Sequence, residues 1–330
     1  MLQRRYKILI NYIIGPILFI VLTFTIYRKI TNQATLQQTK DIINSAFSSQ
    51  NRPYIIALVT LMCANWAIES RKWQLLVRTV QHVSYFTAVK GVLSGLSFSL
   101  FAPNGIGDYF GRIVFMKEGN RLRSIALNIV GSISQIFVTL VAGLTGLIYL
   151  QNTAWQNLPQ AHGFTGFWVT AMIYMIGMAA IVTGFIYYRL SWLTTLVEKI
   201  PFVYKYKFLI ENLESFHWKE LTKILALAAL RYVIFITQYL LMLHIFNVQI
   251  NWFDAICTTS VLFLVLAVLP SIPVADLGIR GETGIQLFGI LSKNTGGIVF
   301  TAAGIWLLNI IIPAIAGSIF VLTIRIFRNR

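Results

Sequence analysis

Phe101-Ala-Pro-Asn-Gly-Ile-Gly-Asp-Tyr-Phe-Gly-Arg112 and Leu269-Pro-Ser-Ile-Pro-Val-Ala-Asp-Leu-Gly-Ile-Arg-Gly-Glu282 are the stretches on which the fold turns. Each interrupts a long apolar segment, 84–116 or 252–291, with proline, glycine, an acid and an arginine. Pro103 and Pro273 are expected to stop a helix, and Gly105, Gly107 and Gly278 to allow a sharp reversal. Unwound backbone at membrane depth survives only when it is buried in protein or lines a wet cavity. Ordinary tight loops between two full spans are the alternative reading of the same residues.

Around these breaks lie six uninterrupted apolar runs, at 8–27, 54–76, 124–150, 166–188, 222–246 and 297–324. Each approaches or exceeds the ~20 residues that cross a hydrocarbon core. The chain has 330 residues, of which 57% are hydrophobic and 12% charged, against about 25% charged in soluble domains. A water-soluble enzyme, a secreted disulfide scaffold and a disordered tail are excluded. The expected fold is an all-α polytopic membrane protein, a single transmembrane domain over 1–330, with about six full spans plus two broken segments. The 8–27 run is too long for a signal-peptide core and no small-residue cleavage site follows, so it is expected to stay as the first span. Cys63 and Cys257 sit inside apolar runs and read as packing residues.

Lys and Arg number 27 against 11 Asp and Glu, a net charge of +16. Nucleic-acid binders gather such charge on one soluble face. Here it falls in bursts between apolar runs, as in loops that grip anionic headgroups, so lipids and not nucleic acid are the expected partners. Oligomerisation is left open. The positive-inside rule puts Arg4, Arg5 and Lys7 in the cytoplasm, then Arg71 to Lys90, Arg112 to Arg123, Arg189 to Lys223, and finally Arg325, Arg328 and Arg330. The uncharged 150–165 loop faces outside, and both termini are cytoplasmic. Four basic residues on the 28–53 loop run against this scheme and suit an amphipathic surface helix. Both flanks of 84–116 are then inside and both flanks of 252–291 outside, so each broken segment crosses an even number of times, as a hairpin or as re-entrant half-helices. Halves 1–150 and 160–330 repeat the same order in opposite orientation, the inverted-repeat plan of many secondary transporters.

Polar residues mark candidate sites. Asp108 with Arg112, and Asp276 with Arg280, stand at the i,i+4 spacing of helical ion pairs. A charge at the bilayer centre costs ~2.5–3.5 kcal/mol on insertion scales, so such groups seldom lie idle there. Arg112, Arg231 and Arg280 are candidates to engage an anionic headgroup, aided by the positive N-termini of helices that restart after the breaks. Arg231 lies deep in its span and requires an acid or a lipid phosphate; Gln238 shares its face. Asn128, Ser132, Gln135 and Thr139 trace one helix stripe, read first as a hydrogen-bonded packing interface and second as a cavity wall. Asn65, Glu69 and Lys72 share another face, where Glu69 is expected to pair with Lys72 or Arg71. His82, His162, His217 and His244 have no metal-ligand spacing, and no phosphate loop or nucleophile elbow occurs. No catalytic residue, metal or cofactor is therefore expected.

These residues resemble the transmembrane region of lysylphosphatidylglycerol synthases, a flippase-like membrane family. The likeness runs from about residue 8 to 325 and rests on Arg71-Lys72-Trp73, on Pro103-Asn-Gly-Ile-Gly-Asp108 with Arg112, and on Pro273 followed by Gly278-Ile-Arg280. The chain departs from the family pattern at Ala275-Asp276, where the family has Gly-Gly, and at Glu282, one residue late. It departs again at Gly131-Ser132, where a Glu-Arg pair is usual. The resemblance implies a protein of the bacterial cytoplasmic membrane that moves or binds an anionic or polyprenyl-type lipid. The synthase's soluble domain does not follow residue 330, so aminoacylation of lipids is not expected. A membrane-embedded enzyme acting on a lipid headgroup and a lipid-binding scaffold that moves nothing are the rival readings.

The orientation is checked by single cysteines in a background lacking Cys63 and Cys257. A cysteine beside Trp155 should react only from outside and one beside Lys205 only from inside; reaction of both from one side overturns the inverted arrangement.

Overall fold

Lipid offers the backbone no hydrogen bonds, so a chain this apolar must satisfy its amides internally. In the computed structural model, described over residues 44–100, 102, 105–153, 164–189, 216–269 and 273–323, every regular element is accordingly helical. The expected span over 8–27, Pro103 and most of 189–223 lie outside the described residues. The helices are α1 (Arg52–Val77), α2 (Tyr85–Ser99), α3 (Ile106–Ile113), α4 (Arg121–Asn152) and α5 (Phe164–Tyr188). They continue with α6 (Trp218–Ile245), α7 (Trp252–Val268), α8 (Pro273–Phe288), α9 (Thr295–Trp306) and α10 (Ile312–Thr323). A π-helical turn, Leu307–Ile311, joins α9 to α10.

Among the described residues five stretches are long and apolar enough to cross a membrane: those centred on α1, α4, α5 and α6, and the continuous α9–α10 unit over Thr295–Val321. They coincide with five of the six expected runs. The broken segments behave differently. At 1.5 Å per residue the 15 residues of α2 reach about 22 Å and the 8 of α3 about 12 Å, both short of a ~30 Å hydrocarbon core. Helices α7 and α8, of 17 and 16 residues, form the second segment.

Local chemistry corrects part of the reading of the breaks. Gly105 does make the first turn: its φ of +68° is left-handed, and among the described glycines no other has positive φ. Gly107 lies inside α3, where its missing side chain lets α3 approach the carbonyl of Phe98. Pro273 does not stop a helix; it opens α8, where its absent N–H costs nothing. Gly278 is likewise within α8 and makes no reversal. Side-chain caps open α2, α7 and α9. Ser84 accepts from the Thr87 amide at the head of α2, and Asn251 from Phe253 at the head of α7. Asn294 accepts from Gly297 at the head of α9 while its Nδ2 donates to the carbonyls of Phe246 and Asn247.

The helices close through small residues, as expected where apolar burial gives no drive for helix association. A Cβ on Gly111 of α3 would overlap the backbone of Gly95 in α2, and one on Gly317 of α10 would overlap the Leu93 carbonyl of α2. Ser97 of α2 also donates to the Ala314 carbonyl of α10, at 2.6 Å. On the other side, a Cβ on Gly143 of α4 would lie 2.6 Å from Cβ of Leu264 in α7. So α2 is clamped between α3 and α10, α7 packs along α4, and α1 and α6 run together through the middle. Trp73, Leu76, Leu127 and Ile224 fill the core at one end, and Tyr239 stacks on Phe288 at the other.

Forcing a side chain into these contacts displaces backbone, so Gly317→Leu and Gly111→Leu should each destabilise by at least about 3 kcal/mol. Gly119, with nothing within 4 Å of its Cβ position, should accept alanine with little change. Thermal unfolding in detergent checks both; an unaltered midpoint for Gly317→Leu contradicts the α2–α10 contact.

Candidate functional site

Glu69 is the hub of the site's charges. It sits four residues after Asn65 on α1, 4% exposed, and three cations converge on it. Lys72, one turn along the same helix, contributes its Nζ at 2.8 Å from Oε2. Arg112 of α3 donates to Oε1 at 2.9 Å, and Arg231 of α6 donates to Oε2. The expected pairing with Lys72 is present; Arg71 instead donates to Gln74. The acid that the depth of Arg231 required is thus Glu69. Arg231 is further fixed by Asn65, whose Oδ1 accepts from Nε at 2.7 Å, and lies between the rings of Trp66 and Phe235, 5.3 and 5.4 Å from its Cζ. Cation–π contact suits a guanidinium held out of water.

From there a chain of buried amides continues across three helices. Asn65 donates to Oδ1 of Asn309, Asn309 to Oε1 of Gln238 at 3.0 Å, and Gln238 to the Leu58 carbonyl. Asn309 occupies the π-turn, whose extra residue per turn presents its amide toward α1 and α6; such bulges occur often at functional sites. Sequence reasoning placed Arg231 and Gln238 on one face but missed Asn309. The signal was there, since Asn309 is the lone amide in the 297–324 run.

Both breaks deliver their charges to the same place. A cavity of about 440 Å³, within the range of small-ligand pockets, is lined by Glu69, Lys72, Asp108, Arg112 and Arg231 together with Asp276 and Arg280. Arg112 is held by Asp108, Nε to Oδ1 at 2.9 Å, and Arg280 by Asp276, Nε to Oδ2 at 2.8 Å. All five candidate charged residues therefore share one cavity, and Lys72 and Glu69 join them. Among the described residues four cations face three acids there. The first turns of α3 and α8 contain Asp108 and Asp276, so each positive helix start carries an acid as well as the arginine one turn on.

The α4 stripe is also corrected. Asn128, Ser132 and Gln135 line the cavity, and among the described residues only Ser132 bonds another helix, through the Tyr109 hydroxyl of α3 at 3.2 Å. Thr139 bonds back to the Gln135 carbonyl of its own helix. The Glu282 carboxylate accepts from Gln286 one turn on and does not line the cavity. Among the described residues no group of His, Cys, Asp and Glu is disposed to hold a metal.

A bundle of membrane-spanning helices around a cavity lined by charged residues defines a multi-pass integral membrane protein. The family profile of the lysylphosphatidylglycerol synthase TM region matches residues 13–325, and the chain belongs to that family. No curated protein and no solved structure matches it.

Removing one partner of a buried charge cluster leaves the others uncompensated, at about 3–5 kcal/mol. Glu69→Gln should therefore lower the unfolding free energy by about that amount, whereas Glu118→Gln at an exposed position should stay within about 0.5 kcal/mol. Denaturant or thermal unfolding in one detergent compares them; equal effects show that the Glu69 cluster is not the anchor described.

Proposed function

We propose that the chain is a flippase-like lipid transporter of a bacterial cytoplasmic membrane, which takes an anionic lipid headgroup into the cavity between its two broken segments. One observation carries the reading: the arginines of both breaks, far apart in sequence, line one cavity with Arg231. Guanidinium groups present a planar fork that matches phosphate oxygens. Among the described residues the protein engages Arg280 only through Nε, so its two Nη groups suit a phosphate. The cavity acids are each tied to a cation, which fits them to position arginines and makes them poor general bases. The reading is accordingly transport without catalysis.

Packing supports the inverted repeat within this proposal. Pairing α1 with α6, α2–α3 with α7–α8, and α4 with α9–α10, each contact has its mirror. Helix α2 on α10 mirrors α7 on α4, α3 on α4 mirrors α8 on α9, and α1 meets α6. The shortness of α2 and α3 favours re-entry over full crossing, and the basic loops favour cytoplasmic termini. The rival is a scaffold that binds the lipid in this cavity and moves nothing.

Reconstitution with a fluorescent phosphatidylglycerol decides between them. Vesicles containing the protein should exchange the lipid between leaflets at least about tenfold faster than empty ones, and Arg280→Gln, which leaves the Glu69 cluster intact, should remove most of that gain. Binding without exchange establishes the scaffold reading.

A further inference from the structure

We infer that the α4 wall of the cavity is a hydroxyl-reading subsite, so that the headgroup accepted is a phosphate ester bearing hydroxyls, a polyol or a sugar, and not one bearing an ammonium. The inference deepens the lipid-binding reading above and rests on it for the phosphate seat.

The motivating observation is a set of buried polar atoms without hydrogen bonds to any of the described residues. Asn128, 4% exposed, has no partner among the described residues for its amide oxygen or its amide nitrogen. Oε1 of Gln135, Oγ of Ser99 and Nε1 of Trp66 are in the same condition, and all four side chains line the cavity. Folded proteins seldom keep a buried amide unpaired, because the desolvation penalty is not recovered. Four such residues facing one cavity, beside a cation cluster in which every acid is satisfied, point to a neutral polar ligand group.

The chemistry of that group follows from the mixture. Asn128 offers both a donor and an acceptor, Gln135 an acceptor, Trp66 a donor, and Ser99 either. A hydroxyl both donates and accepts, so it answers all of them. A quaternary ammonium does neither. A primary ammonium only donates, and it would enter a cavity where four cations already outnumber three acids. The subsite and the phosphate seat lie within reach of one headgroup. Lys72 Nζ is 3.5 Å from the Gly131 carbonyl, between Asn128 and Ser132 in sequence, and Tyr109, which bonds Ser132, stands three residues before Arg112.

The test uses the purified full chain and native mass spectrometry. The probes are phosphatidylglycerol, phosphatidylinositol, phosphatidic acid, lysylphosphatidylglycerol and free glycerol 3-phosphate. The wild type should prefer the two hydroxylated lipids to phosphatidic acid and bind the lysylated lipid weakly. Asn128→Leu and Gln135→Met, both close in volume, should each reduce that preference about fivefold while phosphatidic acid binding, which also reports folding, stays unchanged. A preference untouched by both variants, or a lysylated lipid bound as tightly as phosphatidylglycerol, overturns the inference and leaves the lipid reading standing. Glycerol 3-phosphate bound as tightly as the lipid, with the same loss in the variants, keeps the subsite and overturns the lipid reading. Binding of none of the five overturns both.

Discussion

A carboxylate buried at membrane depth is tolerable only if cations surround it, and Glu69 organises the structure through that requirement. Its two oxygens gather Lys72 from α1, Arg112 from α3 and Arg231 from α6. Lys72 and Arg231 have no other carboxylate partner among the described residues, whereas Arg112 is shared with Asp108. The arrangement fixes the depth of α3 and the rotation of α1 against α6. It also obliges the chain to leave polar space beside them, because four charges cannot all be dressed by packing. The cavity follows from that constraint, and the amide chain through Asn65, Asn309 and Gln238 extends the same polar seam along the α1–α6 contact.

The fold was largely legible in the sequence because apolar run length is a direct physical signal: five of the six expected spans coincide with described helices. The i,i+4 pairs were legible for the same reason, since helical geometry alone brings Asp108 to Arg112 and Asp276 to Arg280. What failed were inferences from single residues out of context. Pro273 reads as a terminator when only its ring is considered, yet proline at a helix start is favourable, and the chain uses it there. Gly107 and Gly278 read as hinges because glycine permits reversal, whereas both lie inside helices, and at Gly107 the missing side chain serves close approach.

The site was half legible. Arg112, Arg231 and Arg280 were singled out one at a time for their depth or their breaks, but nothing in one dimension says that they meet. Glu69 was assigned a local partner, which it has; that it also binds residues 43 and 162 positions away is a tertiary fact. The α4 stripe shows the limit most sharply. Helical periodicity puts Asn128, Ser132 and Gln135 on one face and is silent on whether that face meets a helix or a hollow.

Arg231 occupies a different position in the cluster from its neighbours. Glu69 takes Lys72 from its own helix and Arg112 from a segment that packs against α1, so two of its three cations travel with it. Were α6 to shift relative to α1, Glu69 would remain neutralised and Arg231 would lose its carboxylate and the Asn65 oxygen together. A buried guanidinium so stripped retains its contacts with Trp66 and Phe235 only where those rings follow it, and Trp66 belongs to α1. The ionic part of the cost of separating the two central helices thus falls on Arg231, beside the amide seam through Gln238 that the same two helices share.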